Sequence, residues 1–541
     1  STNNSVSAII RNADVTSTAG FVALTASDTT TVTADVVSAV LSVGISSGSN
    51  AVSLAVGVSV AINDISNTTR AVVEGGSTIS SAGGFDAHAS STGSIEALAV
   101  SAALSVGVSS GGSVGFSGAG TGVGATNTIA NTIEAGVIGG SSVDTGGAAA
   151  ISATDSASVI SDVASAAVSV AAGSSNITVS LTAAVAVAIN NIGNDVQAHL
   201  LNSTLDAGGT LDLTATSDKN IDSLGLAAAI SVSASSGNFT FSGAVGAAIA
   251  DNFIGGTVEA VIQDADTEIL DPLESSVSAV GPITLLADNT STIDAILATA
   301  AGSVSVGSGN VNLALAGAVS VTSNEVTSEV LSGIDNSDVS GGSVSVTSNA
   351  GSEINANTVA IALSVAAGSG TVTLSGAFAL ALAENSIGGS TQALIRNGSI
   401  IENTVGNVDV TVTDSASISS NVIAAAVAVS ASSGSVSGSL ALAVSLADNL
   451  IEGASRASII GSEVTSTAGG VTVTTLVDNA INAVAAAASV SVAASTSVGV
   501  SISGAGAWAR NVMTNEVEAS IVNFSTVDAN GAVSVITVDS S

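Results

Sequence analysis

The sequence has no cysteine and no tyrosine, and only two prolines and six basic residues in 541 positions. Without cysteine the chain forms no disulfides and performs no thiol chemistry. Phosphate groups are neutralised by Lys and Arg. A chain with 42 acidic residues and a net charge of −36 is therefore not expected to bind nucleic acid. The same charge disfavours an anionic membrane surface as a partner.

Charged residues make up 9% of the chain and aromatic residues 2%, whereas hydrophobic residues make up 46%. An average protein is about 25% charged. This hydrophobic content argues against disorder and predicts a thin core of small, closely packed side chains. Long apolar stretches such as Ala483–Ala509 are interrupted throughout by Ser and Gly. We therefore expect no transmembrane helix and no membrane insertion.

One asparagine recurs along the whole chain at spacings of 61 to 72 residues. A nearly fixed period is typical of stacked repeat architectures. Stacked asparagines can form a ladder in which each amide bonds to the next copy. The predicted ladder consists of Asn63, Asn127, Asn190, Asn252, Asn324, Asn385, Asn449 and Asn511. We predict one elongated domain over residues 1–541, with about 8.5 repeats of about 63 residues. The repeats begin near residues 1, 63, 127, 190, 252, 324, 385, 449 and 511.

Each repeat is predicted to contain four strands joined by Gly, Asn and Ser turns. In one repeat these are Thr391–Arg396, Val408–Ser417, Ile423–Ala431 and Ser435–Ala447. The second alternates apolar residues with Thr, Ser or Asp, which is typical of a strand with one wet face. The third and fourth carry Ala, Val, Ser and Gly on both faces. We expect this inner pair to be covered on both sides.

The sequence therefore predicts an all-β fold, and two architectures fit the pattern. One is a wide β-solenoid, in which each repeat is a coil and equivalent strands stack in parallel. The other is an array of antiparallel β-hairpins, because a Ser-Gly turn serves both. The nearly constant repeat length and the asparagine column favour the solenoid.

Residues 264–276 form an acidic insertion in the one irregular repeat. It contains Asp264, Asp266, Glu268 and Asp271. Alternating carboxylates on a loop offer the oxygen ligands that Ca²⁺ prefers, so this segment is a weak candidate calcium site. A solvated acidic bulge is the alternative. No EF-hand loop or calcium β-roll nonapeptide is present, and no other cofactor is expected.

No catalytic constellation stands out, and we expect the chain not to be an enzyme. His88 and His199 fall at non-equivalent places in their repeats, so each is expected to be a surface residue. Gly111–Gly115 matches the nucleophile-elbow pattern, but it lies in a turn between two strands rather than between a strand and a helix. The column from Arg70 to Glu518 mixes Arg, Glu, Gln and Leu, as a variable exposed rim would.

Three segments carry a resemblance to known proteins: Thr69–Val73, Val15–Gly20 and Val464–Gly469. With the Ala-Val-Ser strands around them, they resemble the β-strand repeat regions of large bacterial surface proteins of the adhesin-like and filamentous-haemagglutinin-like kind. The resemblance implies an extracellular or cell-surface location and a role as stalk, fibre or sheath material. We expect a structural protein that associates with itself, or the stalk of an adhesin whose binding tip lies elsewhere. The resemblance identifies no glycan or host-surface ligand.

Overall fold

The computed structural model describes residues 1–264, 275–403 and 405–541, which form strands, turns and bends. Up to Ala207 the strands are β1 (Ser5–Arg11), β2 (Asp14–Ser17), β3 (Val22–Ser46), β4 (Ala51–Ile65), β5 (Thr68–Glu74), β6 (Thr78–Ser81), β7 (Phe85–Ser109), β8 (Val114–Ile129), β9 (Thr132–Ile138), β10 (Ser142–Thr145), β11 (Ala149–Gly173), β12 (Ile177–Gly193), β13 (Asp195–Leu201) and β14 (Thr204–Ala207). The later strands are β15 (Leu211–Ser235), β16 (Phe239–Gln263), β17 (Ser275–Ala279), β18 (Ile283–Gly307), β19 (Val311–Asp335), β20 (Ser337–Gly341), β21 (Val344–Gly368), β22 (Val372–Arg396), β23 (Ile400–Asn403), β24 (Val408–Ser432), β25 (Val436–Ile460), β26 (Glu463–Ser466), β27 (Val471–Ala494), β28 (Val498–Val522), β29 (Thr526–Ala529) and β30 (Val533–Asp539).

These strands form three parallel sheets, and the chain visits each sheet once per coil. Sheet I contains the long strands in the order β3-β7-β11-β15-β18-β21-β24-β27-β30. Sheet II contains β1-β5-β9-β13-β16-β19-β22-β25-β28, with β4, β8 and β12 paired alongside. Sheet III contains the short strands β2-β6-β10-β14-β17-β20-β23-β26-β29. The fold is therefore an all-β solenoid. The strands on either side of each Ser/Gly turn lie in different sheets, which excludes the antiparallel hairpin array.

The solenoid is wide and short. Most strands of sheet I have 25 residues, and nine strands stack in that sheet. At about 3.3 Å per residue and about 4.8 Å per strand, the slab is about 80 Å wide and about 40 Å high. At one edge all three sheets surround one core, and we call this the three-sheet end. At the other edge only sheets I and II face each other up to the Ser/Gly turns, and we call this the two-sheet end.

The strand boundaries differ from the predicted ones. Val408–Ser417 and Ile423–Ala431 are parts of the single strand β24, and β25 runs through the segment expected to hold a turn before the next repeat. The predicted boundaries are wrong because they follow a change in side-chain polarity. The outward residues change from Thr, Asp and Ser to Ala and Val halfway along β24. A change in outward chemistry within one strand imitates a break between two strands.

The two ends have different cores. At the three-sheet end the buried cluster is rich in Ile, Leu and Val and includes Ile79, Ile151 and Leu213. At the two-sheet end the cluster is mostly alanine, as at Ala184 and Ala229. The expectation that the small-residue strands are covered on both sides is wrong for this chain. Their inward faces are buried, but their outward faces are half-buried or exposed.

Candidate assembly surfaces

The eight predicted asparagines lie in one inward-facing column of sheet II. Parallel register pairs each with the asparagine of the next coil, as in Asn63 with Asn127 and Asn127 with Asn190. Each amide Nδ2 donates to the next Oδ1, which gives seven hydrogen bonds of 2.8–2.9 Å from Asn63 to Asn511. The ladder therefore has one polarity, and it satisfies amides that are buried between the sheets.

A second asparagine column lies where the strands of sheet II are interrupted in the early coils. Asn67 N donates to Asn131 Oδ1 at 2.8 Å, and Asn131 N donates to Asn194 Oδ1 at 2.7 Å. These residues lie between β4 and β5, between β8 and β9 and between β12 and β13. In the next coil Gly256 takes the place of Asn194, and β16 continues without a break. The sequence analysis missed this column, although its spacings of 64 and 63 residues were visible.

Serine hydroxyls link the inner faces of sheets I and II at the two-sheet end. The hydroxyls form a chain that alternates between the sheets and climbs from coil to coil. Most of its links are 2.9–3.0 Å between Oγ atoms, and the last is 2.7 Å from a hydroxyl to a backbone carbonyl. Its members are Ser42, Ser53, Ser105, Ser117, Ser169, Ser180, Ser231, Ser242 and Ser303. Small hydroxyls pair across the gap only where the sheets lie close together, so the serines and alanines fix a narrow spacing.

All five arginines form ion pairs with carboxylates of neighbouring coils. Arg396 Nε lies 2.9 Å from Asp335 Oδ2, and Arg510 Nη2 lies 2.7 Å from Asp448 Oδ2. The other pairs are Arg11 with Glu74, Arg70 with Glu134 and Arg456 with Glu518. Arg70, Glu134, Arg456 and Glu518 belong to the predicted rim column, whose members are half-buried rather than exposed. The rim is thus a partly paired charge column, which leaves most of the acidic excess without a basic partner.

His199 is buried, which corrects the expectation that it lies on the surface. Its Nε2 lies 3.0 Å from Glu134 Oε1. The ring fits because the residue paired with it in the coil below is Gly136, where an added Cβ would lie 2.4 Å from His199 Cδ2. Burial alone would raise the pKa of Glu134, but hydrogen bonds from His199 and Arg70 outweigh it and lower that pKa to about 2. His88 is half-buried and lies near Ser152 of the next coil.

The sixth basic residue, Lys219, lies inside the solenoid. Its Nζ donates to the carbonyl of Gly255 at 2.8 Å and to that of Asn194 at 3.3 Å. Asn194 Nδ2 in turn donates to Asp155 Oδ2 at 2.9 Å. Burial raises the pKa of Asp155 to about 6 and lowers the pKa of Lys219 to about 8, although each charge partly offsets the shift of the other. This buried pair was not predicted from sequence.

The described residues offer no side-chain arrangement that supports the calcium hypothesis. Asp264 is buried, and its backbone N–H donates to the carbonyl of Asp335 at 3.1 Å. Asp266, Glu268 and Asp271 lie outside the described residues. Over the part of the chain that is described, no group of three or more His, Asp or Glu is arranged to hold a metal ion.

The outer surface of sheet I at the two-sheet end is a continuous apolar face. Five columns of outward residues, those of Val100, Ala102, Leu104, Val106 and Val108 and their partners in eight coils, contain only Ala, Val, Leu, Ile and one Gly. We call this surface the valine face, because one column is valine in every coil. That column is Val43, Val106, Val170, Val232, Val304, Val365, Val429 and Val492.

The outer surface of sheet II at the same end is apolar as well, but its relief differs. One column alternates leucine with glycine: Leu54, Gly118, Leu181, Gly243, Leu315, Gly376 and Leu440. The leucines lean over the glycines, since a Cβ added at Gly243 would lie 3.0 Å from Leu181 Cδ2. In β8 the outward residues Gly120, Gly122 and Gly124 leave open space beside this column, since a Cβ added at any of them would meet nothing within 4 Å. We call this outer surface of sheet II the leucine–glycine face.

In comparisons with known proteins, no family model matches this chain, nor does any curated protein or solved structure. The described residues contain no helix that could cross a membrane.

Proposed function

We propose that this chain is an extracellular structural protein whose solenoids stack end to end into a fibre, sheath or surface layer. The observation that carries the proposal is the similarity between the end coils and the interior coils. Val36 of β3 lies in the same inward column as Ala99 of β7, yet Ala99 is fully buried and Val36 is half-buried. At the opposite end, the inward residues of β28 are mostly exposed. Another solenoid would bury both sets.

The end strands also offer free strand edges. In a parallel sheet an edge strand presents N–H and C=O groups that pair readily with another chain. The asparagine ladder has the polarity needed for head-to-tail stacking, because every Nδ2 donates in the same direction along the axis. The net charge of −36 opposes such contacts at low salt.

The test is electron microscopy of the purified chain, with and without Ca²⁺, alongside two lysine variants of β28. Ala505 faces inward and is exposed at the end of the stack, so Ala505→Lys places a charge where the next solenoid would pack. Thr514 is exposed on the outward side of the same strand, so Thr514→Lys adds the same charge away from that contact. We expect fibres or sheets from the unchanged chain and from Thr514→Lys, and discrete slabs from Ala505→Lys. Discrete slabs from all three proteins at every concentration would refute end-to-end assembly.

A second proposal rests on the same exposed end coils: the chain is the stalk region of a larger adhesin, and further coils of that protein cover its ends. The resemblance to the repeat regions of bacterial surface proteins agrees with this proposal. Mass spectrometry of the native protein from its cells separates the two. A polypeptide much longer than 541 residues, together with discrete slabs in the microscope, would favour the stalk.

A further inference from the structure

We propose that a second copy of this chain packs on the valine face, so that two solenoids associate side by side. The first argument is area. Five columns of side chains across eight coils cover about 1,200 Å² at the usual strand spacings. A monomer rarely exposes an apolar patch above about 600 Å², and each partner of a standard interface contributes about 800 Å². The valine face is therefore large enough for a stable dimer and too large to be left bare.

The second argument is the relief of the valine face. Next to the central column of Leu104 and Ile230 runs a column of small residues that includes Ala102, Ala166, Ala228 and Ala300. This column and the neighbouring column of Val100 line a shallow apolar groove of about 440 Å³ across five coils. On the other side of the central column lies the column of eight valines. A two-fold rotation about an axis parallel to the solenoid, through the central column, places the valines of each copy in the alanine groove of the other.

The third argument is spacing. The valines and alanines repeat once per coil, about every 4.8 Å. A second copy has the same spacing over the same length, so valine meets alanine in seven of the eight rows, and only the coil of β21 places Ile361 in the alanine column. This match makes the face self-complementary, as a two-fold interface requires.

The fourth argument is charge. The five columns contain no ionisable residue in any coil. Acidic residues begin at the border toward the three-sheet end, with Asp35 and Asp162 in the next outward column and Glu96, Asp222 and Asp294 in the one after. The proposed rotation sends the acidic halves of the two copies to opposite sides, which limits their repulsion. It also places each acidic border beside the polar Ser/Gly turns of the partner, which is the polar rim expected around an apolar interface.

A lipid bilayer is a poorer occupant than a second copy. The hydrocarbon core cannot satisfy the backbone groups of open strand edges, and this slab has open edges along its first and last coils. A second copy covers the side chains of the valine face and leaves those edges in water. Side-by-side association therefore does not depend on the end-to-end stacking proposed above.

The test compares aspartate variants on the two apolar faces by analytical ultracentrifugation at concentrations where end-to-end fibres are absent. Ile230 is 46% exposed at the centre of the valine face, and Ile249 is 40% exposed on the leucine–glycine face of the same coil. We expect a dimer for the unchanged chain and for Ile249→Asp. For Ile230→Asp we expect a dissociation constant raised at least about tenfold, because an unpaired carboxylate would be buried. A monomeric unchanged chain, or weakening by Ile249→Asp alone or equally by both, would overturn the proposal.

Cross-linking tests the orientation, since the chain has no cysteine of its own. Leu104 and Leu181 are both 41% exposed, the first on the central column of the valine face and the second on the leucine–glycine face. Under the proposed rotation Leu104→Cys faces its own counterpart, so oxidation should give a covalent dimer, whereas Leu181→Cys should stay a monomer. Efficient cross-linking of Leu181→Cys without cross-linking of Leu104→Cys would assign the contact to the other face. If Leu181→Cys still formed end-to-end fibres in that case, the side-by-side proposal would fail while the end-to-end stacking proposal would stand.

Discussion

The two ends of the slab distribute their side chains in opposite ways. At the three-sheet end the large apolar residues point inward, as Ile151 does, and the outward positions of sheet I carry polar residues such as Asp212 and Thr214. At the two-sheet end the inward positions carry alanine and serine, and the outward positions carry Val, Leu and Ile. The first end is an ordinary protein core. The second end carries its larger apolar residues on the outside, as one layer of a thicker assembly would.

This contrast separates the apolar area that is buried within the chain from the apolar area that the chain leaves on its surface. Close packing of Ala and Ser side chains stabilises the two sheets against each other, but it buries little apolar surface area per residue. The larger area lies outside and becomes available when another surface covers it. The three-sheet end is therefore expected to supply most of the stability of the isolated solenoid, and the two-sheet end most of the energy of association.

The largest expected effect comes from removing volume at the three-sheet end. Ile151 is fully buried among the side chains of all three sheets. Ile151→Ala should lower the free energy of unfolding by about 2–5 kcal/mol, because it removes buried area and leaves a cavity. Guanidinium unfolding at equilibrium measures the loss. The matched change at an exposed position of the other end, Ile230→Ala, should cost much less in the monomer. Equal losses at the two positions would contradict the contrast between the ends.

The buried pair of Asp155 and Lys219 should make stability depend on pH. The pKa of Asp155 is about 6 in the folded chain and about 3.9 in an unfolded one, so folding favours the protonated carboxyl. Its contribution to stability is fully present below about pH 3.9 and is lost as the pH rises through about 6, by on the order of 3 kcal/mol. Lys219 acts in the opposite sense, because its pKa is lowered to about 8. Its contribution is present above about pH 10.4 and is lost as the pH falls through about 8.

Comparing the unchanged chain with Asp155→Asn between pH 4 and 7 isolates the carboxyl. The unfolding free energy of the unchanged chain should fall relative to that of the variant over this range. Identical pH profiles for the two proteins would show that Asp155 does not titrate in this way. The two-sheet end offers a useful contrast, because the serine chain that links its sheets has no ionisable group.

Much of the solenoid could be predicted from the sequence, because stacking repeats the same inward environment in every coil. Asn190 bonds to Asn252 and lies above Asn127, so the same residue is required at every level, and the column is visible in the sequence. The Ser/Gly turns are also visible, since a reversal of the chain needs small residues. These signals are local or strictly periodic.

Other features depended on register and on partners that a sequence does not display. His199 is buried because Gly136 lies directly beneath it, and only the pairing of β9 with β13 brings the two together. Lys219 is satisfied by carbonyls of Asn194 and Gly255, which lie 25 and 36 residues away. The small-residue strands are apolar on both faces, and that pattern led to the wrong expectation that both faces are covered within the chain. The pattern does not show which surface, if any in the chain, lies opposite the outward face.

The smallest of the three expected effects comes from adding volume at the two-sheet end. Ala184 is fully buried between the sheets, and its neighbour Ala183 is exposed on the outward side of the same strand. Ala184→Leu should destabilise the chain by about 1–3 kcal/mol, because a larger side chain pushes apart sheets that the serine chain holds close together. Ala183→Leu should change stability by less than about 0.5 kcal/mol, since the added atoms project outward. Thermal unfolding of the two variants gives the comparison. If Ala184→Leu were tolerated as well as Ala183→Leu, the gap between the sheets would be wider than its alanines and serines imply, and the two ends would differ in composition alone.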